Sequence, residues 1–416
     1  MIQPELQRPR GTRDILPPES WRVEKFREIV FAMATRYGFE PMETPIFERS
    51  PVFLRVGEAT DIVQHERYRF TDAGGDDLTL RPEGTAAVAR AYIENGLSMA
   101  PQPVRLFYWG PMFRRENPQA ERYRQHTQFG VELYGSPGPP ADAEVIALAT
   151  AAVEAVGLRG PVVRVNSIGC DVCRPAYRDA LVHYYRGRQA ELCADCHARL
   201  DKNPLRLLDC KVDVAIRAQA PDLAEFWCDA CRAHYQAVEA LVVGAGRDIR
   251  RDPHLVRGLD YYTRTVFEVG HPQLGTGVAL FGGGRYDGLT GGMGAPAVPA
   301  VGFGMGVERM LSAVREHFPV PSVARVYVAH LPGFETTAWR LAEDLRQAGF
   351  CAESDLLNRS LKAQLKDAGR RARFALLVGG REWDNGLVVA RDLTTGTQET
   401  VPRDQVAVYL AGNGMK

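Results

Sequence analysis

The sequence predicts an α+β protein with three parts: an antiparallel sheet core with flanking helices, a mostly helical insertion, and a small α/β domain at the C-terminal end. Three stretches carry this expectation. Residues 105–135 read as two strands joined by a long charged loop. Two glycine-rich strand segments, ALFGGGRYDGL from Ala279 and AVGFGMGVERMLSAV from Ala300, come before a helix. From Arg325 onward, strand-like and helix-like segments alternate as a separate unit. The 416 residues suit two or three domains.

Charge and composition narrow the partners. Basic and acidic side chains balance at 51 each, so any surface for a nucleic acid has to be local. No apolar run is long enough to span a bilayer, and the leading residues MIQPELQRPRGTRD lack the apolar core of a secretory signal. A cytoplasmic location with no membrane partner is the expectation. Seven of the eight cysteines fall between Cys170 and Cys231, as three C-x-x-C pairs plus Cys210. Without a signal peptide, zinc or unpaired thiols are expected there rather than a disulfide framework.

Residues 8–14 (RPRGTRD) form a leading segment with three arginines. A helix follows, because Val23, Phe26, Val30, Met33 and Tyr37 recur at spacings of three and four. GFEPMETPIFE then reads as a turn and a strand. LTLRPEGTAAVARAY reads as strand, turn and helix, with Thr85 expected to cap the helix and Glu83 at the junction. Leu106 to Trp109 are apolar and aromatic, as strands prefer. Gln128 to Tyr134 alternate polar and apolar, which puts Gln128 and Glu132 on one face. The loop between these strands carries Arg114, Arg115, Glu116, Arg122 and Arg124.

Residues 160–250 change character. The spacing of Cys170, Cys173, Cys193 and Cys196 matches a four-thiolate zinc site, with Cys228 and Cys231 as alternative partners; a zinc here would be structural. LVRGLDYYTRTVFE places Arg257, Asp260, Tyr261 and Tyr262 before another strand. Consecutive glycines at 282–284 allow close approach to the backbone. Gly302, Gly304 and Gly306 flatten one strand face and leave room for a planar ring. Arg309, on the first turn of the next helix, can reach a phosphate. No P-loop motif is present. The tail reads β-α-β-α-β-β, with Lys362, Lys366, Arg370, Arg371 and Arg373 gathered at one helix and its end. A solvated helix face or contact with a nucleic-acid backbone explains such a cluster.

In this order the segments resemble a class II aminoacyl-tRNA synthetase, and within that class the histidyl-tRNA synthetases. FYWGPMFRRENPQAERYRQHTQFGVE resembles the second class motif and GFGMGVERM the third. The segment around Pro45 resembles the first, which lies at the dimer interface in that family. LVRGLDYYT and GGGRYDGL resemble the two histidine-specific motifs. The resemblance covers nearly the whole chain. It implies a catalytic core in two parts (1–165 and 251–320), a Cys-rich insertion at 166–250 and an anticodon-binding domain at 323–416.

The resemblance also implies roles. Glu83, Thr85 and Gln128 would hold the amino acid's ammonium group. Glu132 and Tyr262 would read the imidazole, with Tyr261 lining the pocket. Arg257 would lie at the carboxylate and α-phosphate as the fixed cation of the first step. Arg114 would grip the α-phosphate, Glu116 the nucleotide and Arg309 the γ-phosphate. ATP is the implied co-substrate with Mg²⁺, and L-histidine and tRNA(His) are the other ligands of a homodimer. The thiols of the insertion are not required for activity in the family, so zinc stays open. A carboxylate and a phenol that read the ring discriminate strongly by themselves, so no editing domain is expected. A catalytically inactive relative, the histidine-sensing regulatory subunit of ATP phosphoribosyltransferase, is the alternative.

Overall fold

The computed structural model describes residues 4–54, 66–115, 123–272, 279–315, 318–320 and 324–415. The chain divides into two compact units, residues 1–320 and 321–416. Strands of the first unit are β1 (Glu40–Pro41), β2 (Phe47–Arg49), β3 (Tyr68–Thr71), β4 (Asp77–Leu80), β5 (Val104–Phe113), β6 (Gln125–Tyr134), β7 (Val162–Ser167), β8 (Asp248–Arg251), β9 (Thr263–Gly270), β10 (Ala279–Arg285) and β11 (Ala300–Gly306). Eight of them make one sheet in the order β1-β5-β6-β11-β10-β9-β7-β8, and β2, β4 and β3 make a small second sheet. From β5 to β7 every neighbouring pair is antiparallel. Only the edge pairs β1/β5 and β7/β8 are parallel, and a parallel pair needs a long crossover. The Cys-rich insertion is the crossover from β7 to β8.

Strand alternation gives the sheet two different faces. Phe107, Phe129, Val131 and Leu133 share a buried cluster with Phe26 and Val30 of the helix Glu19–Arg36 and with Val145, Ile146 and Ala149 of the helix Pro139–Ala155. Phe31 meets Phe107 edge-on with ring centroids 4.8 Å apart. Each such buried side chain contributes about 1.5–3 kcal/mol. On the other face Tyr134 stacks on Tyr92 of the helix Thr85–Glu94 at 4.3 Å. Farther along that face lie Gln128 and Glu132.

One buried ion pair fixes the helix Pro139–Ala155 to the end of β10. Both Arg285 and Asp142 are fully buried. The Arg285 Nε–H is 3.1 Å from each Asp142 oxygen, and its Nη1 donates to the Ser136 carbonyl and to Asp287, both at 3.0 Å. Burial pushes the Asp142 carboxyl up, but the His234 ring nitrogen at 3.3 Å and the Arg285 guanidinium outweigh it and hold the carboxyl below the usual carboxylate range.

The second unit has five strands: β12 (Arg325–His330), β13 (Cys351–Ser354), β14 (Phe374–Val378), β15 (Leu387–Asp392) and β16 (Gln398–Pro402), in the order β13-β12-β14-β15-β16. The first three are parallel and the last two antiparallel. The sequence pattern gave four of these strands; β16 is the addition. It is mostly exposed, so no apolar run marks it. Of the basic cluster, Arg371 pairs with Asp367 and Glu353, while Lys362, Lys366 and Arg370 are exposed. No described helix is long and apolar enough to cross a membrane.

Candidate active site

A cavity of about 290 Å³ opens over the polar face of the sheet. Glu83, Thr85, Arg114, Gln128, Arg257, Tyr261, Tyr262 and Arg309 all line it, although they lie up to 226 residues apart in the chain (309 − 83). Glu132 lies just beneath, fully buried. Glu116 lies outside the described residues.

Glycines make the floor. Gly302 is opposite Glu132, and Gly306 opposite Gln128, in the β6/β11 ladder. A Cβ at Gly302 would overlap the Glu132 carboxylate, and one at Gly304 would overlap the Gln128 amide. Side chains of the neighbouring strand take the room beside Gly302 and Gly304, while Gly306 has open space beside it and lines the cavity together with Gly304 and Gly282. On the other side, a Cβ at Gly282 would lie 2.7 Å from an Arg257 nitrogen, and one at Gly284 would lie 2.9 Å from the Tyr262 ring. Four glycines thus let two polar and two aromatic or cationic side chains lie flat over pleated backbone.

The turn before the helix Thr85–Glu94 also differs from expectation. Thr85 does not cap the helix; it is the first helical residue. The Glu83 carboxylate caps instead, accepting from the Thr85 N–H at 2.7 Å and the Ala86 N–H at 2.8 Å. This frees the Thr85 hydroxyl to donate to Glu132 Oε1 at 2.7 Å. The Tyr286 hydroxyl donates to Glu132 Oε2. Burial raises the Glu132 carboxyl to about 8, and these two donors only partly offset it. Burial raises Glu83 as well. Gln128 Oε1 accepts from the Gly84 N–H at 3.2 Å and the Tyr108 hydroxyl at 3.4 Å.

The ring of Tyr262 packs against Tyr261 at 4.6 Å, and Tyr261 meets Tyr286 edge-on at 5.5 Å. Tyr286 was not among the sequence candidates. It lies inside GGGRYDGL, but its hydroxyl reaches a carboxylate 154 residues away, which no local pattern reveals.

Three guanidinium groups surround the same space. Arg257 Nη1 pairs with Glu268 at 2.7 Å, and Arg164 holds the other oxygen of Glu268 at 2.5 Å. The Arg257 Nε–H is buried with no hydrogen-bond partner among the described residues. Arg114 Nε donates to the Pro82 carbonyl at 2.9 Å and Arg309 Nη1 to the Ala279 carbonyl at 3.1 Å. His126 also lines the cavity; burial and the Arg114 charge push it down to about 3, so it is neutral. Glu308 ties the pieces together: its carboxylate accepts from the Thr127 N–H at 2.9 and 3.0 Å, and Arg13 approaches it at 4.0 Å. Arg13 also lies over the Tyr123 ring at 4.8 Å.

The cysteines follow the alternative grouping rather than the first one offered by their spacing. Cys170, Cys173, Cys193 and Cys196 do not form one group. Cys170 and Cys173 gather with Cys228 and Cys231, while Cys193 and Cys196 gather with Cys210 and Asp213. The reason is topological: residues 170–173 and 228–231 flank the start of one long helix each, Arg174–Arg186 and Asp229–Gly244, and these begin side by side at the base of the insertion.

An antiparallel sheet floored by glycines, with arginines from three separate segments around one cavity, is the catalytic fold of a class II aminoacyl-tRNA synthetase. The family model described as histidyl-tRNA synthetase matches residues 11–310, and one described as an anticodon binding domain matches residues 325–413. The chain belongs to the histidyl-tRNA synthetase family. It is 47% identical to a histidine–tRNA ligase of Desulforudis audaxviator (97% of this chain, 98% of that one) and 44% identical to that of Desulforamulus reducens, with the same coverage. Its fold is similar to that of apo histidyl-tRNA synthetase from S. aureus, at a TM-score of 0.82 and 35% identity, covering 97% of this chain and 99% of that one.

Proposed function

We propose that the chain joins L-histidine to tRNA(His) through a histidyl-adenylate. The histidine carboxylate attacks the α-phosphorus of ATP, and pyrophosphate leaves. The terminal ribose hydroxyl of the tRNA then takes the acyl group, and AMP leaves. The observation that supports this best is the meeting of Arg114, Arg257 and Arg309 on one cavity with Glu83, Thr85, Gln128, Tyr261 and Tyr262, directly above Glu132.

Two anions must approach in the first step. Arg257 and Arg114 offset that repulsion at the α-phosphate and stabilise the charge that spreads in the transition state, and Arg309 takes the γ-phosphate. Glu116 contacts the nucleotide. Mg²⁺ arrives with the β- and γ-phosphates; Glu308, beside Arg309 in sequence and lining the same cavity, offers a carboxylate of the kind a hard cation takes. Glu83, Thr85 and Gln128 hold the ammonium group. Neutral imidazole has one N–H donor and one acceptor nitrogen: Glu132 takes the first, Tyr262 gives to the second, and Tyr261 closes the side.

Residues 1–165 and 251–320 are the two parts of the catalytic core, 166–250 the insertion, and 323–416 the anticodon-binding part. The chain works as a homodimer through the segment around Pro45, where Ile46 and Phe47 are 42% and 47% exposed. It acts in the cytoplasm, and its insertion carries structural zinc. The regulatory-subunit alternative is less supported, because the full-length relatives are ligases and the second unit matches an anticodon-binding model. Charging of total tRNA with each of the twenty amino acids tests the proposal. Histidine on tRNA(His) alone is expected; no charging, or charging with another amino acid, overturns it.

A further inference from the structure

We infer that the insertion holds two metal ions, not one, in two thiolate sites of different composition: four sulfurs from Cys170, Cys173, Cys228 and Cys231, and three sulfurs with one carboxylate from Cys193, Cys196, Cys210 and Asp213. This deepens the structural zinc proposed above and rests on it.

The ligand atoms within each group lie within 4.8 Å of one another. In the first group the Sγ–Sγ separations are 3.7 Å (Cys170 to Cys173), 3.8 Å (Cys170 to Cys228) and 3.7 Å (Cys173 to Cys231). In the second, Cys193 and Cys210 are 3.8 Å apart. A tetrahedron with metal–sulfur bonds of about 2.3 Å has edges of about 3.8 Å. A disulfide would bring its sulfurs to about 2.05 Å. The sulfurs therefore stand at the edge length of a zinc tetrahedron, and all seven are free thiols.

Backbone amides are already aimed at the sulfurs. The Cys170 N–H points to Cys173 Sγ at 3.1 Å, the Cys196 N–H to Cys193 Sγ at 3.5 Å, and the Val212 and Asp213 N–H groups to Cys210 Sγ at 3.4 and 3.3 Å. Such donors stabilise the charge of metal-bound thiolates. Gly169, at φ +73°, lets the chain turn tightly into the first group; a Cβ there would lie 2.8 Å from Cys173 Sγ.

The fold also has a use for both ions. Between the helices Arg174–Arg186 and Asp229–Gly244 the chain is turns and short helices of at most six residues. Segments of this kind gain stability from metal staples. The first ion closes the base of the insertion, joining its two long helices next to Arg174, whose guanidinium donates to the Tyr262 carbonyl at 2.9 Å. The second pins the distal turns. Zinc suits both sets, since it accepts sulfur and carboxylate in a tetrahedron.

The full-length chain, produced with zinc, is expected to carry two zinc ions by elemental mass spectrometry. Cys228→Ser/Cys231→Ser and Cys210→Ser/Asp213→Ala are each expected to keep one. Cobalt in the two single-site variants should give thiolate charge-transfer absorption proportional to bound sulfurs, in the ratio three to four respectively. If a variant fails to fold, cobalt titration of the unmodified chain decides: saturation at two ions with seven thiolates bound supports the inference. A single ion, lost on Cys170/Cys173 or Cys193/Cys196 replacement but kept in both variants above, overturns the two sites and leaves one zinc standing. No bound zinc in the unmodified chain overturns both.

Discussion

Gly302 of β11 lies directly opposite Glu132 of β6, and the absence of a side chain at 302 is what leaves space for the Glu132 carboxylate. A Cβ at 302 would also overlap the Val131 carbonyl oxygen, so the carboxylate and the β6/β11 ladder would both have to shift. Gly302→Ala is expected to destabilise the first unit and to lower histidine-dependent ATP–pyrophosphate exchange by about 10²-fold in the protein that still folds. Circular dichroism checks the first part and the exchange assay the second. Exchange within a few fold of the unmodified protein would remove Glu132 from the site.

Glu132 should also impose a pH dependence. Its folded value, about 8, lies above the ordinary glutamate range. The folded state therefore binds this proton more tightly than the unfolded state, and the resulting stability is complete below about pH 4.5 and is lost as pH rises through about 8. Glu132→Gln is expected to flatten that decline in thermal unfolding between pH 5 and 8. The same substitution replaces a carboxyl oxygen facing the imidazole N–H by an amide and should raise the KM for histidine about 10- to 100-fold. An unchanged pH–stability curve would show that the carboxyl is not buried in this way.

Arg257→Ala should reduce adenylate formation by about 10²–10³-fold. Its partner Glu268 keeps Arg164 at 2.5 Å, so the sheet should not unfold. Single-turnover measurement of adenylate, with Arg257→Lys alongside, checks this. Lysine keeps the charge but not the planar fork and is expected to restore little. Near-normal turnover in the alanine variant would refute the role.

The Arg285–Asp142 pair gives a prediction about stability alone. Asp142→Asn removes the fully buried counter-ion of Arg285, leaving it the partly exposed Asp287, and should destabilise the first unit by about 3–5 kcal/mol. Chemical denaturation measures it. A change under 1 kcal/mol would mean that Ser136 and Asp287 suffice to hold Arg285.

Deletion from Val323 onward removes the second compact unit and should spare adenylate formation while weakening tRNA charging. Parallel exchange and charging assays separate the two. Equal charging efficiency with and without the unit would argue against contact with the anticodon side.

Much of this was readable in the chain because strands with one buried face alternate strictly. Gln128, Glu132 and the β5/β6 pairing follow from that period, as does most of the tail. What stayed hidden is long-range. Nothing near Tyr286 says that its hydroxyl meets Glu132, and nothing near Arg285 points to Asp142. The spacing of cysteines identifies knuckles but not which two share an ion: it offers Cys170 and Cys173 either Cys193/Cys196 or Cys228/Cys231, and the fold brings them to Cys228 and Cys231. At the helix Thr85–Glu94 the local sequence favours threonine as the cap, and only tertiary structure shows its hydroxyl drawn to Glu132 instead.

A crystal structure with a non-hydrolysable histidyl-adenylate analogue is the most direct test. The imidazole is expected between Glu132 and Tyr262, with the phosphate mimic held by Arg114 and Arg257. An analogue bound with its ring away from Glu132, or with its phosphate mimic beyond reach of both arginines, is incompatible with the assignment.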